Sequence, residues 1–116
     1  MPCNAEFGIV DHVEPGKAYD ASYEPEKYGC VSISDDYLND WWDRLSALPS
    51  YFHDLNRPEK GLARFGVTLI PPESAREFAE IAASDPRLGI SAELRALLEV
   101  LRDAARRGKF VIHYGV

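Results

Sequence analysis

With 116 residues, 46% of them apolar and 28% charged, and a formal charge of −6, the chain has the size and composition of one globular domain. The negative balance argues against DNA or RNA as ligand and against anionic membranes, because both demand a basic face. No apolar run approaches the roughly 20 residues that cross a bilayer.

The opening MPCNAEFGIV lacks the basic start, apolar run and cleavage site of a secretory signal, so the expected location is the cytoplasm. Cys3 and Cys30 fit no C-x-x-C spacing and read as free thiols there, Cys30 as a small buried apolar residue. The charge is uneven: residues 1–58 hold 11 Asp/Glu against 4 Lys/Arg, whereas residues 59–116 hold 8 against 9. An acidic half suits a basic protein partner or a cationic ligand.

Residues 6–13 read as a first strand through Phe7, Ile9 and Val10. Residues 14–27 are a polar connection marked by Pro15-Gly16 and Pro25, with tyrosines among its acids. Residues 28–33 read as a second strand, antiparallel to the first. The segment 34–48 then has helical period. Tyr37, Leu38, Trp41, Trp42, Leu45 and Leu48 fall in one arc, and Asp35, Asp36, Asn39, Asp40, Asp43 and Ser46 oppose it. Ser34 suits the N-cap, and Asp35 and Asp36 suit the first turn. Two adjacent indoles make this helix the expected clamp of the fold, with Trp42 nearer the edge of the arc.

Pro49 is expected to stop that helix, and 49–62 reads as a long loop. Residues 63–70 read as a strand with Phe65, Val67 and Leu69 on one face. A short helix over 72–83 follows Pro71-Pro72. Ser91 caps the longest helix, 92–107, whose Leu94, Leu97, Leu98, Leu101, Ala104 and Ala105 form a core stripe closed by Gly108. Residues 109–115 read as a last strand. The expected fold is a single α+β domain over 1–116, of order β-β-α-β-α-α-β. A crossover makes strands two and three parallel, giving an approximately four-stranded mixed sheet with three helices.

There is no phosphate loop, G-x-G-x-x-G, G-x-S-x-G or H-E-x-x-H, and nothing in the pattern calls for a cofactor. His53 and Asp54 are the best catalytic pair: an imidazole works as a general base near neutrality, and a carboxylate can orient it. Against this, adjacent side chains usually point apart, and Asp54 and Asn56 suit turn formation. Cys30 and His113, on different strands, form a weaker thiol–imidazole pair. His12, His53 and His113 lack the i, i+3 or i+4 spacing of a metal site, and none is expected.

The tyrosines and acids are the stronger lead. Tyr19, Tyr23, Tyr51 and Phe52 lie in the two irregular segments, and tyrosine is favoured at interface centres because it joins apolar area to a polar tip. Glu24, Glu26, Asp36, Asp40 and Asp43 would steer a basic partner. The segments YDASYEPEKY, SDDYLNDWWD and PSYFHDL, with the size, acidity and α+β order, resemble small acidic cytoplasmic proteins of bacteria. Among these are the immunity proteins that neutralise polymorphic or contact-dependent toxins.

That resemblance implies a non-enzymatic protein that masks a basic partner, such as a toxin or nuclease; it carries no motif from which a site residue transfers. The alternatives are a small enzyme with a pocket at the 49–62 loop using His53, and a homodimer formed through an edge strand such as 109–115.

Overall fold

Strand and helix periods sort the side chains into two layers on one sheet. The computed structural model describes residues 4–115; Cys3 lies outside them. The elements are β1 (Asn4–Val10), β2 (Val31–Ser34), α1 (Asp35–Leu45), β3 (Pro49–Phe52), β4 (Pro58–Lys60), β5 (Gly66–Ile70), α2 (Pro72–Ala83), α3 (Ala92–Arg107) and β6 (Phe110–Gly115). Six strands form one sheet in the order β2-β1-β6-β5-β3-β4, and every pairing is antiparallel.

All three helices lie on one face. Alternation along β1 and β6 sends Ala5, Phe7 and Val111 into the main core, where they meet Leu38, Trp41 and Leu45 of α1, Phe78 of α2 and Leu94, Leu97 and Leu101 of α3. The opposite face carries Val10, Val67, Leu69, Ile112 and Tyr114. It is covered by residues 11–30, which include 3-10 turns at Tyr19–Ala21 and Pro25–Tyr28. Gly8 lets that layer settle: a Cβ there would lie 2.6 Å from the Tyr28 carbonyl oxygen and 2.7 Å from Cys30 Sγ.

The expected three helices and antiparallel β1–β2 and β5–β6 pairs are present. The sheet is not a four-stranded mixed one. Residues 49–62 are no loop but contain β3 and β4, and α1 carries the chain across the sheet to β3, so β2 and β5 never pair. The strand 109–115 is not at an edge: β6 sits between β1 and β5. The true edges are short and guarded. β4 is Pro-Glu-Lys, fully exposed, and β2 has its Ser34 N–H taken by the Glu93 carboxylate at 3.1 Å.

The helix ends follow their caps: Ser34 accepts from Asp36 N–H, Ser91 from Leu94 N–H, and Gly108 adopts φ 67° after α3. α1 stops at Leu45, earlier than Pro49 requires, where the Ser46 hydroxyl donates to the Trp42 carbonyl. Among the described residues no helix is long and apolar enough to cross a membrane.

Candidate functional site

The acidic residues of α1 divide by their partners. Trp41 is 2% exposed, and its indole N–H donates to Asp85 Oδ2 at 2.9 Å. Asp85 also accepts from Arg87 through its backbone N–H, Nε and Nη2. These Arg87 hydrogen bonds, chiefly those of the side chain, hold the Asp85 carboxyl well below the usual carboxylate range against the opposing effect of burial, with Trp41 helping. The same guanidinium reaches Asp40 at 2.9 Å and lies 4.4 Å over the Tyr37 ring. Asp40 is thereby tied into the packing of α1. Asp36 and Asp43 are exposed and, among the described residues, have no ion-pair partner.

The remaining sequence candidates do not form one patch. Tyr19 is 3% exposed in the second core, its hydroxyl accepting the Glu14 N–H, so no partner can reach it. Tyr51 is half-buried against Phe110, and Phe52 is half-buried one residue on. Glu26 is exposed in the covering layer, on the sheet face opposite α1. Tyr23 is 62% exposed; it stands edge-on to Tyr114 and hydrogen-bonds to Glu6, which raises its hydroxyl to about 12. Glu24 is tied down beside it, its N–H donating to the Tyr114 hydroxyl at 3.3 Å.

The geometry that sequence reasoning missed lies at this end of the sheet. Tyr114 is the register partner of Glu6 and Val67, and Gly115 that of Gly66. Phe65, expected in a strand face, instead precedes Gly66, whose φ of +92° breaks the alternation, and the phenyl ring is 77% exposed. Arg64 next to it stacks its guanidinium 3.9 Å over the half-buried Trp42 ring and donates to Asn39 Oδ1 at 2.7 Å. Asp35, Trp42, Arg64 and Gly115 line one shallow crevice. Burial raises the Asp35 carboxyl, with Arg64 opposing and Asp36 adding to the effect. Phe65, through Gly66 and Gly115, and Tyr23, through Tyr114, therefore lie at the same end of the sheet, Tyr23 on its covered side with Glu24 next in the chain and Trp42 on its helical side with Asp35 in the same crevice.

The expected His53–Asp54 pair is not formed. Asp54 Oδ1 accepts the Asn56 N–H at 2.8 Å, a local turn, while His53 Nδ1 lies 3.1 Å from Asp20 Oδ2 in the covering layer. That approach is close in distance but not aligned as a hydrogen bond. His53 adopts φ 69° and its ring rests on Gly66, where a Cβ would come within 2.5 Å of Cε1. The Tyr19 N–H donates to the His53 carbonyl at 2.9 Å, so this residue pins the covering layer to the sheet. The main concavities of the described surface are lined by other residues.

The Cys30–His113 pair fails on topology. His113 pairs in register with Phe7 and packs on its ring on the helical face, whereas Cys30 lies in the second core on the other face. Burial pushes the Cys30 thiol up to about 12, which leaves it protonated and unreactive. Among the described residues no three His, Cys, Asp or Glu side chains converge as a metal site.

His113 itself is 2% exposed, and burial pushes its imidazole down to about 3. His113 Nδ1 lies 3.2 Å from Thr68 Oγ1, which also accepts the Ala63 N–H at 2.8 Å, and Nε2 is buried with no hydrogen-bond partner among the described residues. The folded ring stays neutral while the unfolded one titrates near 6.5, so the unfolded chain binds the extra proton. Stability from this residue is complete above pH 6.5 and is lost as pH falls towards 3, by up to about 1.4 kcal/mol per pH unit. Urea unfolding at several pH values from 7 to 5 should show that slope as the difference between wild type and His113→Gln. Parallel pH profiles for the two proteins would mean that the ring gains a proton in the folded state. No family model, curated protein or solved structure matches this chain.

Proposed function

We propose that the chain is a non-enzymatic binding protein that masks the basic surface of a protein partner, in the manner of the toxin-neutralising immunity proteins it resembles. The observation that supports this reading is the sheet end carrying Phe65 at 77% and Tyr23 at 62% exposure, with the Arg64–Trp42 stack on its helical side and Glu24 and Asp35 flanking the aromatic residues. Aromatic anchors inside a charged rim are the anatomy of a protein–protein hot spot. Asp36 and Asp43 extend the negative field along α1 and act on approach, since rim charges alter association rate more than final affinity.

Affinity capture from native lysate tests this directly. The wild-type chain should retain a protein of basic surface, and Tyr23→Ala with Phe65→Ala should lose it. Replacing Asp36 and Asp43 by Asn should slow association with the recovered partner and flatten its salt dependence. Equal recovery by both baits, or association kinetics indifferent to salt, contradicts the reading.

A further inference from the structure

Arg64 stands out among the described cations because its guanidinium stacks on an indole. Among the described residues it has no carboxylate within ion-pair distance. Its guanidinium is held by the Trp42 face at 3.9 Å and by Asn39 Oδ1 at 2.7 Å, with Asp35 lining the same crevice. An indole face and a carbonyl-type acceptor are together the recognition chemistry of a planar cation, and the Asp35 carboxylate, beyond ion-pair distance in the same crevice, adds a favourable field. The side chain filling it is exposed and attached to a backbone whose neighbours Leu62 and Ala63 are buried, so the guanidinium can leave without disturbing the core.

We infer that Trp42, Asn39 and Asp35 form a guanidinium-binding site that Arg64 occupies in the free protein and yields to an arginine of the docking partner. This rests on the proposed protein-binding role and names the chemistry the partner must offer. Arg64 holds the aromatic face covered while the partner is absent, and exchange replaces one stacked cation by another. The displaced Arg64 then leaves Phe65, its chain neighbour, free to follow the partner surface. A lysine would serve poorly, because it lacks the planar fork that stacks and donates at once.

The site can be tested without any partner. N-acetyl-arginine-methylamide is titrated into the purified full chain while the two indole N–H resonances and the backbone amides of residues 39 and 64–66 are followed, the amides serving as the reporter where Trp42 is replaced. Trp41, hydrogen-bonded to Asp85, serves as the internal reference. Removing the built-in competitor raises apparent affinity by the inverse of the fraction of time the site stands open. Arg64→Ala should therefore tighten binding by about fivefold or more, with the indole shift confined to Trp42 and the amide shifts to its surroundings. Adding Trp42→Leu should abolish the gain, and Asp35→Asn should reduce it; the norleucine analogue of the probe should not bind.

No tightening in Arg64→Ala, or tightening that survives loss of the indole, overturns the inference. Thermal midpoints check that the variants are folded. Failure here with capture intact removes only the arginine exchange. Loss of capture while the probe still binds Trp42 removes the docking reading and leaves the cation site.

Discussion

Replacing Trp41 by alanine should cost about 3–5 kcal/mol of folding stability, and replacing Trp42 about 1–2 kcal/mol. The two indoles are neighbours in sequence but not in environment. Trp41 is 2% exposed and stands edge-on to Phe78 at 6.2 Å, with the Tyr37 ring at 5.9 Å. Its removal opens a cavity at the junction of α1 and α2 that close-packed neighbours cannot refill. Trp42 sits at the margin of the same arc and meets Arg64 on its outer face, so truncation there loses partial burial and one stacked cation. Urea unfolding measures both. Equal and small losses would show that α1 does not clamp the fold and that its apolar face is available to other molecules.

Asp85→Ala should cost about 3 kcal/mol, because three groups lose their acceptor together. The Trp41 N–H would be buried with nothing to accept it, at about 1–3 kcal/mol. Arg87 would lose the carboxylate that fixes its fork, which loosens its reach to Asp40 and Tyr37. Asp85→Asn keeps one acceptor oxygen and should cost about 1 kcal/mol. If the network is real, Trp41→Phe and Asp85→Ala should be non-additive, since each removes the same hydrogen bond. Additive losses would mean that Asp85 serves Arg87 alone.

The helices were legible because their signals are local. The three-and-four spacing of leucines in α3 and the Ser34, Ser91 and Gly108 caps act within a few residues of where they stand. β4 was not legible: Pro58, Glu59 and Lys60 are all exposed and carry no apolar alternation, and they become a strand only because β3 lies alongside. The central place of β6 had a faint signal in its nearly unbroken apolar run from Phe110 to Tyr114, the mark of a strand covered on both faces. Strand order as such depends on contacts far apart in sequence.

The same limit explains the site. Asp54 follows His53 in the chain, but the acid that meets the imidazole is Asp20, brought in by the covering layer. Tyr19 and Tyr23 look alike as sequence, yet one packs on the sheet and the other projects from its end. Phe65 became a surface residue because Gly66 turned the backbone before the strand began. The α1 division held, with Leu38, Trp41 and Leu45 inward and Asp36, Asp40 and Asp43 outward, because one helix sets both faces at once.

The central claim is that the sheet end of Tyr23 and Phe65, with Trp42 on its helical side, is where a basic protein docks. Amide hydrogen exchange on the chain, free and saturated with the captured partner, tests it most directly. The account predicts slowed exchange at residues 20–24, 35–42 and 64–66, with the outer surface of α3 unchanged. Protection confined to α3, or to the β3–β4 hairpin, would contradict it.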